Sequence, residues 1–497
     1  MNTGIKAQNK MKSLELVPLS SSIPCKADTA MIFDSKPAFS SEICVIPLDD
    51  DRHLIYAPLR RAALVGNARV VNFMAARQAG QPNTKGEDPD GALTTLLRGL
   101  EMLDAQPETQ PVTHPAGTPQ PTAVTLFLTT ACNLRCTYCY ARAGDTPVRS
   151  MALDVAKRGI DYVARNAVTT GAGHFEVNYH GGGEPTANWR TLTGSHEHAQ
   201  SRAAELGLEM TASTATNGVL RDEQIDWIIS HLQGASVSYD GLPEVQDAHR
   251  PTAGGEGSSL RVAHTLRRFA EAGFPHGIRV TVTADQIARL PDSVEYICSH
   301  FEAARIQVEP AYQMGRWRDA PSAETEAFIA AYREAQVRAA AYGKEIFFSG
   351  ARVGLLTNHF CGITQDSFSL SPDGNVSACF ETFSEDEEWA PVFFYGKPEE
   401  GGGYGYDLAR LEHLRSQSVE NREWCKGCFA RWTCAGDCYH KALTVGGKDE
   451  FQGSDRCHVI RELTKDQILA RIAQSGGHYW HEGGGTSGSA AGKEFLI

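Results

Sequence analysis

Three cysteines stand close together in the run TTACNLRCTYCYAR, at Cys132, Cys136 and Cys139. Spaced as C-x3-C-x2-C, their thiolates can grip three corners of one [4Fe–4S] cube. The fourth iron is then left without a protein ligand and is able to hold a small molecule. A zinc site is the competing reading, but structural zinc wants four ligands, usually drawn from pairs of C-x2-C. Seven more cysteines come late in the chain. Cys361 and Cys379 are separated by twelve residues, Gly374 and four more. Then follow Cys425-x2-Cys428-x5-Cys434-x3-Cys438 and finally Cys457. Here too C-x2-C admits a zinc knuckle as the alternative. Of the 13 cysteines, Cys25, Cys44 and Cys298 fall outside these groups. Cys298, in EYICSHF, reads as a small buried apolar residue.

Other polar groups follow strand-like segments. His180-Gly181-Gly182-Gly183-Glu184-Pro185 closes HFEVNYHG, Thr216-Asn217-Gly218 closes EMTASTATNG, and Ser238-Tyr239-Asp240-Gly241 closes GASVSYDG. Arg250 lies just beyond, in VQDAHRP. Glycines permit a close backbone approach because they lack Cβ. A carboxylate suits an ammonium, amides and hydroxyls suit ribose hydroxyls, and arginine suits a carboxylate. Ordinary turn chemistry also explains the NG and DG pairs.

The elements that must position these groups run from residue 123 to about 345. Strand candidates AVTLFLTT, HFEVNYHG, EMTASTATNG, GASVSYDG, GIRVTVTA and RIQVEP alternate with helical stretches such as LDVAKRGIDYVARNA, DEQIDWIISHL and SLRVAHTLRRFAEAG. Six such repeats predict an α/β fold of parallel strands with helical crossovers. In barrels of that kind the active site sits at the C-terminal strand ends. Residues 1–40 read as a flexible arm. In 41–104, EICVIPL and RHLIYAPL read as strands, and RRAALVGNARVVNFMAARQAG and DGALTTLLRGLEML as helices. Residues 105–122, rich in Pro and Thr, read as an extended linker. Residues 471–497 read as a C-terminal tail, its low-complexity end GGGTSGSAAGKEFLI, residues 483–497, as mobile.

The triad followed by the glycine run resembles the radical S-adenosylmethionine (radical SAM) superfamily. The resemblance implies a partial (β/α)6 barrel over 123–345, with SAM bound at the open iron. Tyr138 would lie beside the adenine. Gly181, Gly182, Gly183 and Glu184 would meet the amino group, and Asn217, Ser238, Asp240 and Arg250 the ribose and carboxylate. The late cysteines resemble the seven-cysteine SPASM extension, here over 346–470. That extension implies two auxiliary [4Fe–4S] clusters, making three in all. The outer would use Cys425, Cys428, Cys434 and Cys457; the inner, Cys361, Cys379 and Cys438. A fourth inner ligand is missing, because the stretch where some relatives carry it reads CGITQDSFSL. An open iron, Asp366, a substrate group and a distant cysteine such as Cys298 all stay open. In sulfatase-maturing relatives an Asp follows the second inner cysteine; here Phe380 does, and the nearest acid is Glu381. Glu381 and Glu309 are the candidates for proton removal. The 41–104 region resembles winged-helix elements that pair a peptide leader along a strand edge.

These resemblances imply a cytoplasmic maturase that oxidatively modifies, and by expectation cross-links, a ribosomally made precursor peptide. Electrons would come from a ferredoxin- or flavodoxin-like donor. Net charge is −13, from 47 Lys+Arg against 60 Asp+Glu, and no long basic run appears. Both facts count against nucleic acid as the partner. No apolar run approaches 18 residues, which counts against a membrane span. The rival readings are a sulfatase-type maturase, a small-molecule radical SAM dehydrogenase, and a non-enzymatic iron–sulfur or zinc protein.

Overall fold

The computed structural model describes residues 31–33, 39, 42–49, 51–81, 88, 91–320, 322–446 and 453–482. Cys25 and most of the arm lie outside the described residues. A small antiparallel sheet opens the chain, from β1 (Met31–Phe33), β2 (Ile43–Pro47), β3 (Arg52–Ala57) and β4 (Ala62–Asn67). Helices α1 (Ala68–Gln78) and α2 (Ala92–Gly99) follow it.

The main sheet carries β5 (Ala123–Phe127), β6 (His174–His180), β7 (Glu209–Thr216), β8 (Gly234–Ser238), β9 (His276–Val282), β10 (Arg305–Pro310) and β11 (Ile346–Phe347). These seven pair in chain order and in parallel. The first six are the strands expected from the sequence; short β11 adds a seventh. Their crossovers include α3 (Leu153–Thr170), α4 (Trp189–Leu206), α5 (Asp222–His231), α6 (Pro243–His249), α7 (Ser259–Glu271), α8 (Leu290–His300) and α9 (Thr325–Ala341). Strict alternation of buried and half-buried residues along β6 and β9 shows why these segments form strands. The buried positions pack under the helices, and the half-buried ones, such as Arg279 and Thr281, face the hollow side of the sheet.

The cysteine-rich region extends this sheet beyond β5. β12 (Ser369–Leu370) runs parallel to β5, and β13 (Val376–Ser377), β14 (Phe394–Pro398) and β15 (Tyr404–Tyr406) add antiparallel strands. A last strand, β16 (Tyr479–His481), crosses back to pair with β4. Residues 105–122 hold no helix or strand and are fastened along their length. Asn358 bonds Thr113, Arg415 donates to the Gly117 carbonyl at 2.9 Å, and Asn166 donates to that of Pro121 at 3.0 Å.

Two expectations need correction. The segment RRAALVGN is not helical: residues 62–67 form β4, and the helix begins only at Ala68. Asn67 is the reason, since its side chain caps the Arg69 and Val70 amides and so fixes the helix start. Residues 471–482 are not a free tail, because helix Asp455–Gln474 runs into them and β16 follows; the end read as mobile, 483–497, lies outside the described residues. Trp480 is buried with the Arg471 guanidinium 4.9 Å from its ring.

The small sheet buries both faces. Cys44, Leu54, Tyr56, Ala63 and Val65 join the main core, whereas Val45, Ile55 and Leu64 pack with Val70, Phe73 and Leu97 of its own helices. The alternation at 54, 55 and 56 is the two-residue period of a strand. No helix among the described residues is long and apolar enough to cross a membrane.

Candidate functional site

The triad sits in the loop leaving β5, held from two sides. The amides of Arg135 and Thr137 donate to the carbonyls of Pro251 and His249 at 2.8 and 2.9 Å, and Ala253 donates to Asn133. Arg316 donates to the Cys136 carbonyl at 2.7 Å and is itself anchored by Asp145. Beneath the loop runs the glycine segment from β6. Gly183 and Glu184 donate to the carbonyls of Thr129 and Ala131 at 3.0 and 2.8 Å. A Cβ on Gly183 would stand 2.1 Å from the Ala131 carbonyl oxygen, so only glycine fits there.

Above these loops opens a cavity of about 380 Å³ at the C-terminal strand ends. Cys132, Cys136 and Cys139 line one side; Cys361, Cys379 and Cys438 line another. Tyr138, Gly181, Gly182, Gly183, Glu184, Asn217, Ser238, Arg250, Glu309 and Glu381 also line it. Of the site residues picked from the sequence, Asp240 and the four cysteines Cys425, Cys428, Cys434 and Cys457 do not line it. A second cavity of about 200 Å³ is ringed by Cys425, Cys428, Cys434 and Cys457, with Trp424, Arg431 and Arg461. Every described cysteine is free of a disulfide. Burial pushes the Cys132 and Cys425 thiols up to about 12. Unpaired thiols, buried or half-buried, gathered in threes and fours fit iron–sulfur ligation, which converts them to thiolates.

Residues 126–295 match the Radical SAM superfamily. Mycofactocin maturase MftC of Mycobacterium tuberculosis is 29% identical over 370 residues, covering 70% of this chain and 87% of that protein. Sporulation killing factor maturation protein SkfB of Bacillus subtilis is 26% identical over 204 residues, covering 39% and 44%. Among solved structures, native anSMEcpe with bound AdoMet superposes with a TM-score of 0.56 at 16% identity, covering 71% of this chain and 99% of that one.

Residues 126–295 of this chain belong to the radical SAM superfamily.

In this radical SAM enzyme the polar groups divide into those that face the cavity and those that brace it. Glu184 does both. Its Oε1 accepts from the Thr186 amide and from the hydroxyls of Thr186 and Thr216, and its Oε2 accepts from the Asn217 amide at 2.8 Å. Burial pushes its carboxyl above the usual range, and those four donors pull it back. Asn217 donates to Asn133 at 2.7 Å and lies 3.6 Å from the Cys132 sulfur. Asp240 differs from the sequence expectation in place: it is buried behind the wall and does not line the cavity. It accepts a short bond from the Tyr138 hydroxyl and another from the Thr281 amide at 3.0 Å. Arg250 donates to the same Tyr138 hydroxyl at 2.7 Å. Tyr138 is thus fixed by its tip, leaving its ring to form wall.

The two candidate bases differ sharply. Glu309 is fully committed: Ser349 donates its amide to it at 2.7 Å, Gln307 donates at 3.1 Å, and Arg456 pairs with it at 3.2 Å. Burial raises the Glu309 carboxyl, but Arg456 and Lys441 outweigh it and hold it below the usual range. Glu381 is looser. Its Oε1 lies 3.9 Å from Lys441 Nζ, and its buried Oε2 has no hydrogen-bond partner. Burial raises this carboxyl too, but Lys441, His440 and Arg279 together keep it ionised.

Neither Asp366 nor Cys298 lines the cavity. Arg415 takes both Asp366 oxygens at 2.8 and 2.7 Å, and Cys298 is buried in α8. Sequence reasoning passed over Arg279, Lys441 and His180, which also line the cavity. Arg279 has no hydrogen bond or ion pair from its guanidinium among the described residues. Its signal was present, because it alternates in phase with Thr281 along GIRVTVTA. Burial, then Arg279, pushes His180 down to about 4, so it is neutral at ordinary pH. Lys441 and His440 directly follow Cys438 and Tyr439, and that adjacency was their only mark in the sequence.

Proposed function

We propose that this enzyme oxidatively modifies side chains of a ribosomally made precursor peptide, cross-linking being the reading favoured by the sequence. The observation that carries it is the shared cavity: the triad and three further cysteines face one another across a space lined with cations and one loosely held carboxylate. The names of the relatives, a mycofactocin maturase and a killing-factor maturation protein, support the peptide class. Cys132, Cys136 and Cys139 would hold the SAM-binding cluster. Cys425, Cys428, Cys434 and Cys457 would hold an outer auxiliary cluster, and Cys361, Cys379 and Cys438 an inner one. When bound, SAM and these clusters supply a 5′-deoxyadenosyl radical for hydrogen abstraction and a path for single electrons, started by a ferredoxin- or flavodoxin-like donor.

The chain's own residues do the rest. The Gly181–Gly183 backbone and Glu184 receive the SAM ammonium, and Ser238, Asn217 and Arg250 its ribose and carboxylate. Tyr138, held by Asp240 and Arg250, walls the adenine. Ionised Glu381 accepts the proton released as the substrate is oxidised; Glu309, saturated with donors, serves the framework. Residues 41–104 would receive the leader, but β1 and β16 already pair with the outer strands β2 and β4 of that region, so a leader strand would add beyond one of them.

The test is anaerobic. Reconstituted enzyme, dithionite and SAM are incubated with the peptide of any short open reading frame found beside the gene, with sulfatase-motif peptides as the comparison. Formation of 5′-deoxyadenosine with a peptide that has lost two hydrogens supports the reading. Oxidation of sulfatase-motif peptides or of small molecules, with the precursor untouched, overturns it in favour of those rivals.

A further inference from the structure

We propose that His440 donates a hydrogen bond from Nδ1 to the thiolate of Cys379 and thereby raises the reduction potential of the inner iron–sulfur cluster. The proposal rests on the reading of Cys361, Cys379 and Cys438 as that cluster's ligands.

His440 Nδ1 lies 3.3 Å from the Cys379 sulfur, and both residues are buried. The ring is stacked on Phe393, with centroids 5.1 Å apart and planes at 27°, so it has little freedom to turn away. A second acceptor stands beside the same nitrogen: Glu381 Oε2, 3.8 Å away and otherwise without a hydrogen-bond partner. A thiolate and a carboxylate both accept and cannot donate. The nitrogen between them therefore carries a hydrogen. The Glu381 amide adds a second donor to the same sulfur at 3.4 Å. Among the described residues no other cysteine sulfur has an imidazole within hydrogen-bond distance.

The physical consequence follows from charge. Reducing a cluster adds negative charge, part of which resides on its sulfurs. A donor aimed at one of those sulfurs stabilises the reduced state more than the oxidised one and shifts the potential upward. Among the described residues the ring of four cysteines around the second cavity has no such ring donor. The two auxiliary sites are thus built with unequal potentials, the inner one being the better acceptor. That order suits a site bordering the substrate cavity, where the electron left by substrate oxidation must first be received. His440 is a positioning residue in this account: it touches the ligand and not the substrate.

The experiment compares wild type, His440→Leu and His440→Asn as fully reconstituted full-length proteins. Iron is counted, and each auxiliary signal is titrated by electron paramagnetic resonance against a set potential. The expected result is unchanged iron in both variants. In His440→Leu one auxiliary signal becomes harder to reduce by about tenfold in the reduction equilibrium, ~59 mV for a one-electron couple. The other signals stay where they were. Asn offers an amide N–H near the position of Nδ1, and His440→Asn recovers part of the shift. Full iron with no movement in His440→Leu overturns the proposal. So does loss of about four iron atoms in both variants, or direct nitrogen coupling in the wild-type signal, since either makes His440 an iron ligand. Wild-type protein with only about four iron atoms overturns the auxiliary-cluster reading itself, and the iron count alone tells that failure apart.

Discussion

The central cavity and the outer cysteine pocket use the same side chain to opposite ends. Around the smaller space stand four cysteines, walled by Trp424, Arg431 and Arg461, with Gly427 and Gly436, and its acid, Asp437, is tied to Arg456 at 2.9 Å. Around the larger stand two sets of three, with glycines, Arg279, Lys441 and Glu381 between them. A complete ring of thiolates leaves no coordination site for anything else, as in closed structural metal centres. An incomplete ring leaves a place for a small molecule and needs neighbours that recognise it. The difference teaches that the number of cysteines in a set, more than their burial, decides whether a site is closed or keeps room for a small molecule.

The largest effect that would break this contrast lies in the triad. Replacing Cys132, Cys136 and Cys139 together by Ala should reduce 5′-deoxyadenosine formation below detection and remove about four iron atoms per chain, leaving the rest. Persistent SAM cleavage in that protein would dissolve the distinction. Next comes Gly183→Ala. Its Cβ would collide with backbone, so the glycine segment must shift. SAM cleavage should fall about a hundredfold, about 2.7 kcal/mol, with iron retained; a steady-state assay beside iron analysis decides it.

Within the cavity, Glu381 and Glu309 can be set against each other. Glu381→Gln should slow peptide modification about tenfold or more while SAM cleavage without peptide continues. Glu309→Gln should instead cost about 3 kcal/mol of stability, because it strips a charge from the buried Arg456 pair. A denaturant titration and a turnover assay on both variants would show whether the roles are reversed.

The smallest effect concerns Glu387, whose Oε1 accepts from the Phe383 and Ser384 amides. That loop presses Phe383 against Gly182. Burial pushes the Glu387 carboxyl up to about 8. Its proton is held more tightly in the fold than in the unfolded chain, where Glu titrates near 4.3. The resulting stabilisation is present below about pH 4.3 and drains away as pH rises through about 8. Glu387→Gln should flatten that part of the pH–stability curve, as thermal melts across the window would record.

Much of this was legible in the sequence, for physical reasons. The parallel strands announced themselves through two-residue alternation, and the cysteine spacings carried their chemistry directly. What escaped depended on contacts between distant segments. β4 reads as helix because ALV suits either state; its pairing with β3 and the cap at Asn67 decide the matter. Asp240 ends a strand like a binding residue, yet the Tyr138 hydroxyl reaches it first. Asp366 seemed a spare ligand until Arg415, 49 residues later, claimed both oxygens. His440 could not be tied to Cys379 by any local pattern, since 61 residues separate them.

The strand β16 has a bearing on how the molecule is made. β4 emerges early from the ribosome, but its outer edge finds a partner only when Tyr479–His481 has been synthesised. Until then an unpaired strand edge stands open, the kind of surface on which nascent chains aggregate. Once closed, Glu482 latches it to Arg61 at 2.8 Å. Translation must therefore run almost the whole length of the described chain before its first sheet is sealed, and shortening the chain ahead of Tyr479 would damage the N-terminal fold rather than trim an appendage.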